Sequence, residues 1–191
     1  MHLFMVLIGC RPKGRNTEQH DVFFGIAHEL RDLVPEIKQF WKGASPLHLD
    51  GWRIVKNVDG YKISVSGKEH PTIQPFNHST NQPTPKLFFL NLGGYKENHF
   101  EEFHYKMLTV AANKAGAAAA AKKTAFFMHT GFNKDAAAHI DDRFGVDVDD
   151  LFEIPDILPA AIKDKFCINI EPGISLPEDE IQLGYFKLHE L

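Results

Sequence analysis

The chain has 191 residues, 43% hydrophobic and 24% charged, and no apolar run approaches the roughly 18 residues of a membrane-spanning helix. That excludes a transmembrane helix, a collagen-like chain and wholesale disorder. Lys and Arg total 21 against 25 Asp and Glu, a net charge of −4, so no electrostatic basis exists for a general affinity for nucleic acid or anionic membrane.

Two cysteines, Cys10 and Cys167, are too few for a disulfide scaffold and lack the paired spacing of a zinc ribbon. The start of the chain has no basic segment followed by a long apolar stretch and a cleavage site. A cytoplasmic protein is expected.

In chain order, Leu3 to Gly9 is a nearly continuous apolar run ending in glycine, the pattern of a buried strand. Next comes a loop with three cations, Arg11, Lys13 and Arg15, and then HDVFFGIA, which reads as strand or helix. Leu30, Leu33, Val34, Ile37, Phe40 and Trp41 form the stripe of a core-facing helix, with Pro35 suited to its first turn. His48 to Val65 reads as strand, interrupted by a tight turn at Val58-Asp59-Gly60-Tyr61. Residues 66–85, rich in Pro, Ser, Thr, Asn and Gln, form a linker.

After the linker the pattern repeats. Leu87 to Gly93 matches Leu3 to Gly9 at an offset of 84, and the same offset aligns Glu18 with Glu102 and His20 with His104. The β-favouring residues of His104 to Val110 settle the ambiguous segment of the first copy as strand. Asn113 then offers a helix N-cap before an Ala-rich run. At an offset of 91, His48-Leu-Asp50 aligns with His139-Ile-Asp141, and Val55, Asp59, Tyr61 and Ile63 with Val146, Asp150, Phe152 and Ile154. Residues 155–191 are not duplicated and read as a short helix followed by two edge strands.

The expected architecture is α/β, of α+β type: duplicated β-β-α-β-β units with mainly antiparallel sheet and pseudo-two-fold symmetry. Its segments are 1–65, the linker 66–85, 86–154, and a C-terminal piece, 155–191, that packs on the repeats.

The stretches GRNTEQHDVFFGIA, LHLDGWR, NVDGYKI, LFFLNLGGY, HIDDRFGVDVDDLFEIPDILP and LPEDEIQLGYFKL together resemble the bacterial family called domain of unknown function 1543. The resemblance covers essentially the whole chain and implies a member with two copies of the domain. It brings no activity, cofactor or catalytic residue with it. The alanines of Gly116 to Ala121 depart from the Glu, Lys and Ile expected in that family.

The strongest chemical signal is the duplicated Glu-x-His, Glu18/His20 and Glu102/His104. On a strand, residues i and i+2 share a face, so each copy presents a carboxylate beside an imidazole. Such a set suits a divalent transition metal or acid/base work, and a plain hydrogen-bonded pair fits it too. His48/Asp50 and His139/Asp141 form a second set with the same spacing. Arg11, Lys13 and Arg15 form a local basic loop able to hold a small anionic ligand. Asp147, Asp149 and Asp150 lie in an acidic stretch without the ligand spacing of a calcium loop.

The expectation is a small-ligand or protein-binding module built from a duplicated domain, with a metal-assisted small-molecule enzyme as the alternative. The Ala-rich helix motivates a homodimer. Neither membrane nor nucleic acid is an expected partner.

Overall fold

The computed structural model describes residues 1–68, 84–95, 98–124, 146–173 and 177–191. The chain forms two compact units, one of residues 1–77 and 157–191 and the other of residues 78–156. The C-terminal segment therefore belongs with the first unit.

In the first unit, β1 (His2–Cys10) and β2 (Gln19–Ala27) are antiparallel neighbours, followed by a 3-10 turn (Leu30–Leu33) that runs into α1 (Val34–Phe40). Pro35 sits in the first turn of α1, where its missing N–H costs nothing. The helical stripe buries Leu33 and Ile37 against Phe4, Val6 and Ile8 of β1. β3 (Leu47–Val55) pairs with the other edge of β1, and β10 (Gln182–Lys187) pairs with β3, giving a four-stranded order β10-β3-β1-β2. A separate three-stranded sheet joins β4 (Asn57–Val58), β5 (Tyr61–Gly67) and β9 (Phe166–Pro172). The β4-β5 turn has positive φ at both Asp59 (51°) and Gly60 (78°), as its sequence demands.

In the second unit, β6 (Lys86–Tyr95) lies between β7 (Glu102–Ala111) and β8 (Val146–Glu153). The helix α2 (Lys114–Ala121) starts where expected, with the Asn113 side chain accepting the Gly116 N–H at 2.9 Å. Ala117 and Ala121 are buried against Phe88, Leu90 and Leu92 of β6. The small residues at these two positions thus let the helix approach its own sheet.

All strand pairings among the described residues are antiparallel, and the mixed α+β class follows. The two central triplets, β2-β1-β3 and β7-β6-β8, have the same order. Both carry one bulge. Leu7 and Ile8 face Gly51 and Leu49, leaving Asp50 as the extra residue, while Asn91 and Leu92 face Asp150 and Val148, leaving Asp149. The register therefore matches β3 with β8 at an offset of 99. The sequence alignment at 91 placed Val146 to Ile154 against Val55 to Ile63, yet β8 holds the place of β3. A fourth strand completes the expected β-β-α-β-β pattern only in the first unit among the described residues. Most of the expected linker, residues 69–83, lies outside the described residues, as do His139 and Asp141.

Among the described residues, no helix is long and apolar enough to cross a membrane.

Candidate metal centre

Successive strand residues alternate faces, and on β1 Phe4, Val6 and Ile8 point into the core of the first unit. Gly9 faces the other way. Its lateral neighbours are His20 on β2 and His48 on β3. A Cβ at Gly9 would collide with His48 Nε2 and with the Asp50 carboxylate. Glycine here is a matter of space, because the side chains of both neighbouring strands lean over its backbone.

The bulge supplies the next donor. An extra residue in one strand re-aims its side chain, and here it brings Asp50 beside the two imidazoles. His20 Nε2 lies 3.0 Å from Asp50 Oδ2 and 3.8 Å from Glu18 Oε2. His48 Nε2 lies 3.2 Å from Glu18 Oε1 and 3.2 Å from Asp50 Oδ1. The two sets that were separate in the sequence, Glu18/His20 and His48/Asp50, are one cluster of four.

The cluster has a buried side and an open side. His48 is 3% exposed and its ring stacks on Tyr185, with centroids 4.3 Å apart and planes inclined by 28°. Tyr185 reaches it from a second bulge, between Leu183 and Phe186 of β10. Glu18 and His20 are about two-fifths exposed.

His48 Nε2 and Asp50 Oδ2 are buried and make no hydrogen bond. Both have polar neighbours within 3.0 to 3.2 Å, so the atoms crowd together without the alignment of donor to acceptor. A buried polar atom left this way costs about 1–3 kcal/mol. Pairwise, the imidazole–carboxylate spacings of 3.0 to 3.8 Å are of the size found between neighbouring donors on an ion. Donors about 2.1 Å from one ion lie about 3.0 Å apart in an octahedron and about 3.4 Å apart in a tetrahedron.

The second unit holds Glu102, His104 and Asp149 in the corresponding positions. Gly93 pairs with His104 on β7 and with Asp147 on β8, and a Cβ there would collide with the Asp149 carboxylate. His104 Nε2 lies 3.5 Å from Asp149 Oδ2 and 3.7 Å from Glu102 Oε2. The Tyr95 hydroxyl donates to Glu102; desolvation first, then the charge of Glu102, holds the phenol above its ordinary range. Asp149 is a residue that the sequence placed only in an acidic stretch, without a ligand role. Its signal was the DVD of β8 set against HLD of β3.

Arg11, Lys13 and Arg15 sit in the loop from β1 to β2, residues 11–18, which ends on the clustered Glu18. Arg11 Nη2 donates to Asn16 O at 2.7 Å across it. Cys10 is fully buried, and burial pushes its thiol up, which removes it as a nucleophile. A cleft of about 290 Å³ in the same unit, lined by Lys38, Ser45 and Leu188 among others, includes none of the four clustered residues.

No curated protein matches this sequence. A solved structure, a protein Il1583 from Idiomarina loihiensis, is similar with a TM-score of 0.60 and 22% identity, covering 98% of this chain and 97% of that one. At that identity the likeness concerns the fold. Over residues 15–65, which hold Glu18, His20, His48 and Asp50 together, the chain matches the family described as Domain of Unknown Function (DUF1543).

Proposed function

We propose that the first unit binds a divalent transition metal through Glu18, His20, His48 and Asp50, and that this centre serves a small anionic ligand or substrate. The observation that carries the reading is the buried His48 Nε2, which makes no hydrogen bond and lies 3.2 Å from two carboxylate oxygens. Two imidazoles and two carboxylates suit zinc and its first-row neighbours. Their two negative charges balance a divalent ion, and the cations of the Arg11–Arg15 loop then favour an anion on the open side. A bound ion would polarise such a ligand or acidify its own water. The binding-module and enzyme readings share this centre and differ in whether the ligand is turned over.

The chain is also read as a duplication. Supporting it are the common strand order, the bulges at Asp50 and Asp149, and the glycines Gly9 and Gly93.

The test is metal analysis of the full chain purified without chelators, together with Co2+ titration followed by its visible spectrum. About one tightly held transition metal is expected at the first unit, with a nitrogen- and oxygen-ligated Co2+ spectrum that His20→Ala removes. A wild-type protein that takes up neither Zn2+ nor Co2+ at micromolar concentrations would overturn the proposal.

A further inference from the structure

The second unit repeats the framework of the first with different donors. At the place of His48, opposite the glycine, the strand register puts Asp147, so this position offers no imidazole. Glu102, His104 and Asp149 each bring one ligand atom, all within 4.8 Å of one another. Among the described residues this is one nitrogen and two carboxylates, a harder set than two nitrogens and two carboxylates. Carboxylate-rich sets suit Mn2+, Mg2+ and Ca2+, whereas imidazole shifts preference toward Zn2+, Ni2+ and Cu2+.

His104 Nε2 stands 3.5 Å from Asp149 Oδ2 and 3.7 Å from Glu102 Oε2, against 3.0 Å and 3.8 Å for the matching contacts of His20, so donor chemistry and not spacing separates the two sites. The hydrogen bond from Tyr95 to Glu102 adds the outer support that orients a ligating carboxylate. Arg11 occupies the position of Tyr95 in the first unit, at the offset of 84, and its side chain is engaged by Asn16.

We infer that the second unit is a second metal site of another class: Glu102, His104 and Asp149 hold a hard divalent cation, with Mn2+ as the probe. The inference rests on the metal reading of the first unit for its framework, and on its own donors for its selectivity.

The experiment uses the full chain, stripped of metal, and follows the loss of free Mn2+ from its electron paramagnetic resonance signal with and without one equivalent of Zn2+. Wild type is expected to bind one Mn2+ that a single equivalent of Zn2+ leaves in place. His20→Ala should lose the Zn2+ and keep the Mn2+. Asp149→Asn and the conservative Glu102→Gln should weaken Mn2+ at least tenfold while leaving Zn2+ and the circular dichroism spectrum unchanged. Mn2+ binding that survives both second-unit variants overturns the inference, as does one equivalent of Zn2+ expelling all the Mn2+. Loss of Zn2+ binding in the wild type with Mn2+ retained defeats the reading of the first unit alone.

Discussion

The two centres have the same scaffold and differ in what closes over it. Each is built on a glycine in the middle strand, with a Glu-x-His on one neighbour and a bulged aspartate on the other. In the first unit a second imidazole sits beside the glycine, stacks on Tyr185 and is buried. In the second the three donors remain between one-quarter and about one-third exposed. The strand register decides where donors converge, and one residue of the third strand decides how dry and how nitrogen-rich the result is. Buried, unaligned donors are costly without an ion, so the first centre has more to gain from one.

The largest effect expected from this difference is on opening of the first unit. Cys167 is exposed and Cys10 is buried, so an alkylating reagent should modify Cys167 at once and Cys10 only when the unit opens. A metal at a hundred times its dissociation constant stabilises the bound state by about 2.7 kcal/mol. Zn2+ should therefore slow Cys10 labelling about a hundredfold, with Cys167 unchanged as the internal control. Mn2+ confined to the second unit should leave both rates alone. Equal slowing by the two ions would erase the distinction between the centres.

A smaller effect separates the glycines. Gly9→Ala drives a methyl group into His48, whose ring is held between the sheet and Tyr185, and overpacking of this kind costs about 1–3 kcal/mol. At Gly93→Ala the three nearest atoms to the new methyl belong to the Asp149 carboxylate, the end of a partly exposed side chain, where His48 at Gly9 is buried. The methyl also stiffens the unfolded chain, a gain of about 0.4–1 kcal/mol, so the net change there should be near zero. Urea denaturation of the metal-free variants measures both. Equal losses would show that the second centre is as tightly closed as the first.

Much of the scaffold was legible because it is local. Short, nearly continuous apolar runs ending in glycine marked β1 and β6, Pro35 and Asn113 marked helix starts, and Asp59-Gly60 fixed a hairpin. The Glu-x-His pairs were legible for the same reason, since i and i+2 share a strand face. What joins Glu18 and His20 to His48 and Asp50 is cross-strand register, set by a bulge that hydrophobic pattern does not announce. His139 and Asp141, which the sequence matches to His48 and Asp50, lie outside the described residues; among those described, the DVD of β8 takes the register against β6 that HLD of β3 takes against β1. Tyr185 was out of reach altogether, because an edge strand from the far end of the chain delivers it.

Tyr185 tests how much of the contrast comes from that cover. It is 62% exposed, so its own burial contributes little, and what it provides is the stacked face over His48. An aromatic pair of this kind adds about 0.5–1.5 kcal/mol beyond area. Tyr185→Ala should lower stability by that amount and weaken Zn2+ at the first centre several-fold, because water then competes for the imidazole. Tyr185→Phe keeps the ring and should keep both. Mn2+ affinity at the second unit should be unmoved in either variant, since Tyr185 stacks on His48 of the first. If Tyr185→Ala leaves Zn2+ binding at the wild-type level, the dryness of His48 comes from the sheet itself, and the two centres differ by donor type alone.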